Sequence, residues 1–243
     1  MAQLTLLRPD WDCAPGIELR LSSRQFGKST GPYSSLNLGN HVNDTPAIVR
    51  ENRALVTSEL PGEPLWLDQV HGDTVLEAGP TDLPQQPMPA PVADASFTRQ
   101  SGFVLAIMVA DCLPIALSSR DGQELAVVHA GWRGLANGIL ERATEKFRST
   151  DLQAWLGPAI GPCHYEVDSH VRDAFPDEAG FHPGKDSQHW MMNLCQQARS
   201  QLLKLGVESV TESGICTACD DRFYSHRQMA PTGRFGVFLW KSS

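Results

Sequence analysis

The sequence predicts an α+β fold in which strands outnumber helices, and three observations carry that expectation. Residues 103–109 form a nearly continuous apolar run, as expected of a strand buried on both faces. Two extended segments, 113–117 and 125–129, flank Asp121-Gly122, the dipeptide of a tight hairpin, which makes at least one strand pair antiparallel. Helical periodicity is confined to a few short stretches, so the helices must pack on a mixed sheet rather than form a bundle.

Along the chain, Thr45-Pro46 opens a first helix, with Thr45 as N-cap and Pro46 at the first helical position. Val49, Asn52, Leu55 and Val56 follow at helical spacing, and Pro61-Gly62 ends the element. Leu65-Trp66-Leu67 suggests a short strand running into Gln69-Val70-His71-Gly72. Residues 79–91 hold five prolines and read as a long surface loop. Candidate site residues lie on both sides of it, so it is an excursion within one domain spanning 1–243, not a boundary. After the hairpin, Gly131 and Gly134 bracket a sharp turn. Leu135, Ile139, Leu140, Ala143 and Phe147 then line one face of a helix. A further helix is expected over 193–205 and a closing strand over 235–240.

The bulk numbers narrow the function. A formal net charge of −8 lacks the basic excess of a dedicated nucleic-acid binder. No stretch approaches the roughly 20 apolar residues of a membrane span, and the start has no secretory-signal pattern. The expectation is a cytoplasmic protein without membrane or nucleic-acid partners. Six cysteines in such a chain read as buried thiols, metal ligands or nucleophiles before disulfides.

His71, Cys112 and His129 each stand where a predicted strand stops, and each is soon followed by Gly72, Pro114 or Gly131. Neighbouring strands would bring the three together. Imidazole and thiolate suit zinc, whose catalytic sites take three protein ligands and keep one position open. The spacing is long-range, and Cys112 alone reads equally as a small buried apolar residue.

The flanking residues add a resemblance. Gln69-Val70-His71-Gly72, Ala110-Asp111-Cys112-Leu113-Pro114, His129-Ala130-Gly131-Trp132-Arg133-Gly134 and 157–162 (Gly-Pro-Ala-Ile-Gly-Pro) resemble the YfiH/laccase-domain family. Ser35-Leu36-Asn37-Leu38-Gly39, Glu51-Asn52-Arg53 and Thr232-Gly233-Arg234 extend the likeness over almost the whole length. It implies a CNF/YfiH-like mixed-sheet domain and a zinc centre on His71, Cys112 and His129. It implies phosphorolysis of adenosine, inosine and S-methyl-5′-thioadenosine, together with adenosine deamination. Family members have also been described as polyphenol oxidases, and a bacterial branch is linked to peptidoglycan editing. Purine nucleosides and phosphate are then the expected partners.

Deamination needs a nucleophile at neutral pH, which zinc supplies by lowering the pKa of water to about 7. Asp111 or Asp94 would move the proton, although Asp111 reads as readily as a structural carboxylate. Phosphorolysis needs an anion site, and Arg133, beside a glycine turn and a predicted helix start, suits one. A surface arginine is the alternative. Substrate contacts are expected from Arg24, Asn37, Asp94 and Arg227; Arg24, Arg53 and Arg227 read also as structural ion-pair partners. Trp132 serves a core as well as a purine wall.

Three further readings compete. One is a non-enzymatic binding or editing factor whose metal only staples the fold, which would want a fourth protein ligand that the sequence does not offer. Copper laccase chemistry calls for many histidines in His-x-His pairs, and the chain has eight histidines and no such pair. A cysteine hydrolase would use Cys112 as nucleophile and His129 as base, leaving His71 idle. Cys216-Thr217-Ala218-Cys219 reads as two partly buried thiols, since no second CxxC or histidine pair completes a metal site. Two departures from the family pattern bear on the pocket. Only Gly27 remains of an expected glycine pair in Ser23-Arg24-Gln25-Phe26-Gly27, and Asn193 stands where an aspartate is expected.

Overall fold

The computed structural model describes residues 4–79, 89–177 and 179–242; most of the expected 79–91 loop lies outside them. In chain order the elements are β1 (Ile17–Leu21), a 3-10 turn (Gly31–Tyr33), α1 (Pro46–Thr57), β2 (Val75–Glu77), β3 (Ala95–Thr98) and β4 (Leu105–Val109). Next come β5 (Leu113–Ser119), β6 (Leu125–Ala130), α2 (Trp132–Ala136), α3 (Ile139–Thr144) and β7 (Leu152–Leu156). The remainder is β8 (Glu166–Asp168), α4 (Ser169–Arg172), β9 (Phe181–Pro183), β10 (His189–Met192), α5 (Leu194–Lys204), β11 (Ser209–Glu212) and β12 (Phe235–Lys241).

Two sheets stack face to face. A mixed six-stranded sheet runs in the order β11-β7-β5-β6-β3-β2, and an antiparallel three-stranded sheet in the order β1-β12-β4. A small antiparallel sheet, β8-β10-β9, pairs with neither, and its Val167 and Met192 join the core on the six-stranded sheet.

The period-two alternation of side chains builds the layers. Leu105, Ile107 and Val109 of β4 meet Val127 and Trp155 between the sheets, while Ala106 and Met108 turn outward to join Val56 of α1. On the opposite side, Val128 and Ala130 of β6 pack on Leu135, Ile139 and Leu140, with Ala198 and Leu202 of α5. The order is therefore helix, sheet, sheet, helices. No helix among the described residues is long and apolar enough to cross a membrane.

Three of the expected elements differ in the structure. The strand expected at 65–67 is only a bridge between Leu65 and Leu105, with another between Asp68 and Val92. The sharp turn expected at 131–134 is the first part of α2, so Gly134 and Arg133 are helical residues. The single helix expected from 135 to 147 breaks at Gly138, whose φ of +83° is the left-handed conformation that glycine adopts freely. At the start of α5, Asn193 accepts a bond from the Gln196 amide, the capping task an aspartate would perform there.

Candidate metal centre and active-site cavity

The centre forms on the seam between the two sheets. The chain leaves β4 of the three-stranded sheet at Val109 and enters β5 of the six-stranded one at Leu113. Cys112 sits on that crossover. Asp111 beside it takes φ +87°, a conformation unusual for a residue with a Cβ. His129 is the penultimate residue of β6, and His71 (φ +63°) ends the segment that runs alongside β4. One ligand atom from each of the three falls within 4.8 Å of the others, and the two imidazole rings meet edge to face with centroids 4.8 Å apart. Gly131 permits this approach, because a Cβ there would stand 2.9 Å from Cys112 Sγ and 3.4 Å from His71 Cδ2.

A buried carboxylate organises two of the three. Asp94 accepts hydrogen bonds from the backbone amides of Val70 (3.2 Å), His71 (2.9 Å) and Gly72 (2.7 Å), and lies 2.8 Å from His129 Nδ1. A carboxylate can only accept, so Nδ1 carries the proton and Nε2 is left to face Cys112. Burial works to raise the Asp94 carboxyl, but the His129 bond and the amides of Gly72 and His71 hold it below the ordinary range. Burial likewise raises the Cys112 thiol, yet the His129 imidazolium, with hydrogen bonds from His129 and His71, pulls it down to about 6. His129, which burial alone would lower, is raised to about 9 by the Cys112 thiolate and Asp94. The metal-free centre is thus a thiolate–imidazolium pair.

This donor set fits zinc: one readily ionised thiolate, two imidazoles, and a carboxylate fixing a histidine tautomer. Among the described residues no fourth protein donor joins the trio.

The trio lies on the wall of a cavity of about 340 Å³, within the range of roughly 300–1,000 Å³ typical of small-molecule sites. Asp111 and Arg227 line it with the ligands. The Asp111 carboxylate accepts from Thr217 Oγ1 at 2.7 Å and from the Arg227 amide at 2.6 Å. The Arg227 guanidinium lies over the Tyr165 ring at 5.0 Å and donates to the Glu166 carbonyl. Tyr165, His41, His226 and Arg234 also line the cavity, and the sequence reading had singled out none of them for the site. Arg234 belongs to the Thr232-Gly233-Arg234 motif, while no short-range pattern marks Tyr165, His41 or His226, which arrive from separate loops.

The other expected residues stand elsewhere. Arg133 is exposed on α2, stacked at 4.5 Å over Trp132, which itself reaches the cavity. Arg24 donates to the Ser34 carbonyl and covers Tyr224. Asn37 is fully buried, bonded to the Gly39 and Arg234 amides and to Asp44. Arg53 donates to the Leu38 carbonyl and lies 4.2 Å over Trp66. Arg24, Asn37, Arg53 and Asp94 are not among the cavity-lining residues.

A family model described as multi-copper polyphenol oxidoreductase laccase matches residues 18–242. The chain belongs to this YfiH/laccase-domain family. Family relatives include a purine nucleoside phosphorylase of Pseudomonas aeruginosa, 42% identical over 96% of this chain and 97% of the relative. The purine nucleoside phosphorylase YfiH of Escherichia coli is 40% identical, covering 97% of this chain and 98% of its own. Among solved structures, protein NMB0706 of Neisseria meningitidis superposes with a TM-score of 0.91 at 35% identity, covering 98% of this chain and 99% of that one.

Proposed function

We propose that this chain, as one catalytic domain over 1–243, is a zinc-dependent purine nucleoside phosphorylase that also deaminates adenosine. The observation that carries the reading is the convergence of His71, Cys112 and His129 on one cavity with Asp111 and Arg227. The relatives that carry the phosphorylase name are about 40% identical over nearly the full length, which supports the same reading.

His71, Cys112 and His129 would hold the zinc, which when bound supplies Lewis acidity and a source of hydroxide at neutral pH. The chain's own groups then divide the work. Asp94 keeps the proton on His129 Nδ1 and fixes the His71 backbone, so it acts as a positioning residue. Asp111 has two of its acceptor sites occupied by Thr217 and Arg227, leaving others for a ribose hydroxyl or a proton leaving or joining the purine. Arg227, with the exposed Arg133 beside the cavity-lining Trp132, would supply the cationic fork that a phosphate requires. Tyr165 and Trp132 offer flat walls for the base. Asn37 holds the backbone amide of Arg234, which lines the cavity, and Arg24 braces Ser34 and Tyr224.

Incubating the protein with adenosine or inosine, with and without phosphate, tests the reading. Phosphate-dependent release of adenine or hypoxanthine supports phosphorolysis, and phosphate-independent conversion of adenosine to inosine supports deamination. Absence of both products from every nucleoside overturns it.

The Cys112–His129 ion pair favours one second reading, a cysteine hydrolase with Cys112 as nucleophile. Cys112→Ser separates the two. Loss of one zinc per chain together with turnover supports the zinc enzyme; an unchanged zinc content with lost turnover supports the nucleophile. The laccase alternative would show as copper at several ions per chain.

A further inference from the structure

The CxxC at 216–219 acquires in three dimensions what it lacks in sequence. Cys163 and His164, more than fifty positions earlier, come to face it. One ligand atom each from Cys163, His164, Cys216 and Cys219 lies within 4.8 Å of all the others. The thiol of Cys163 is 3.6 Å from both Cys216 Sγ and Cys219 Sγ. His164 Nδ1 is 3.2 Å from Cys163 Sγ and 3.5 Å from Cys219 Sγ.

These separations are far beyond the ~2.05 Å of a disulfide. They match the edges of a tetrahedron around zinc. Zn–S bonds of about 2.3 Å and Zn–N bonds of about 2.0–2.1 Å put sulfurs about 3.8 Å apart and sulfur and nitrogen about 3.6 Å apart.

The backbone is built to hold this arrangement. His164 closes a turn onto the Gly161 carbonyl, and Cys219 and Asp220 both close onto the Cys216 carbonyl, so two tight turns present the four side chains to one another. The Gly161 amide donates to Cys216 Sγ at 3.2 Å, the kind of bond that steadies a metal thiolate. Gly161 also lacks the Cβ that would stand 3.2 Å from Cys216 Cβ and 3.4 Å from Cys163 Sγ. Ala159 bridges to Cys216, locking the two turns in register.

We infer that Cys163, His164, Cys216 and Cys219 form a second metal site, a closed four-ligand site that takes one structural zinc ion. It is separate from the His71–Cys112–His129 centre and independent of the activity proposed for it. Four protein donors complete the tetrahedron, so no position remains for substrate. The ion fastens the 159–164 segment to the 215–219 turn. Those segments carry Ile160, which lines the cavity and donates to the Asp111 carbonyl, and Thr217, which donates to the Asp111 carboxylate.

Metal analysis of protein purified without added metal tests the inference. Two zinc ions per chain are expected in the wild type and one in His71→Ala, whose remaining ion must sit elsewhere. Cys216→Ser/Cys219→Ser should also retain one. Cobalt loaded into His71→Ala should give a tetrahedral spectrum with a thiolate charge-transfer band of three sulfurs. One ion in the wild type and none in His71→Ala would overturn the inference. So would a purified protein whose mass is two hydrogens short, with a disulfide mapped among Cys163, Cys216 and Cys219. The His71→Ala arm decides even if the double variant fails to fold.

Discussion

Asp94 Oδ1 lies 2.8 Å from His129 Nδ1 and accepts from the His71 amide at 2.9 Å, so one buried group orients two histidines from opposite sides of the sheet seam. Removing its charge while keeping its shape isolates this function. Asp94→Asn should fold and weaken metal binding roughly 10- to 100-fold, measured by chelator competition. Asp94→Ala should in addition lose a few kcal/mol of stability, because buried amides lose their acceptor. Unchanged metal affinity in Asp94→Asn would remove the positioning role.

Metal-stripped protein should reveal the ion pair through pH. The thiolate is favoured in the fold, so its contribution to stability is present above the ordinary thiol range and is lost as pH falls through about 6. His129 runs the other way: its contribution is full below the ordinary imidazole range and is lost as pH rises through about 9. Alkylation of Cys112 by iodoacetamide should therefore follow a midpoint near 6, and added zinc should block it. A midpoint in the ordinary thiol range would refute the pairing.

Gly131→Ala probes crowding at the centre. The new Cβ would press on Cys112 Sγ at 2.9 Å, while the backbone φ of −72° accepts alanine without strain. The expected result is a folded protein by circular dichroism whose metal affinity drops on the order of tenfold or more.

Thr217→Val removes the hydroxyl from Asp111 and keeps the volume. A lost hydrogen bond of roughly 0.5–1.5 kcal/mol corresponds to a two- to tenfold fall in kcat/KM for phosphorolysis. Asp111 acting on substrate requires that kcat/KM fall. A loss in Tm alone, with kinetics intact, would make the carboxylate structural.

The outline of the fold was legible wherever one segment carried its own signal. The buried run at 103–109 became β4, the Asp121-Gly122 hairpin joined β5 to β6, and Asn193 and Thr45 stand at helix starts as their residue types suggest. Strands β2, β3, β7 and β11 went unread because each is only three to five residues long and is specified by its neighbours in the sheet. Phe26, in the stretch that retained a single glycine, adopts φ +70°, a conformation no propensity would assign to it.

Site residues divided along the same line. His71, Cys112 and His129 carry recognisable flanks, whereas Tyr165, His226, His41 and Arg234 meet only through tertiary folding. Arg24, Asn37 and Asp94 looked substrate-facing because polar residues in specific motifs invite that reading. In the fold none of the three lines the cavity, and each bonds a backbone group: Arg24 the Ser34 carbonyl, Asn37 the Gly39 amide and Asp94 the Gly72 amide. The pairing of Cys163 and His164 with Cys216 and Cys219 was invisible, since more than fifty residues separate its halves.

The crossover at Asp111-Cys112 passes the chain from one sheet to the other, and His129 and His71 reach it from each side. An ion held there works as a rivet through two plates. Sliding of the three-stranded layer against the six-stranded one would have to stretch its ligand bonds. Amide protons of β4 and β6 should thus lose their protection from exchange together when the rivet is withdrawn.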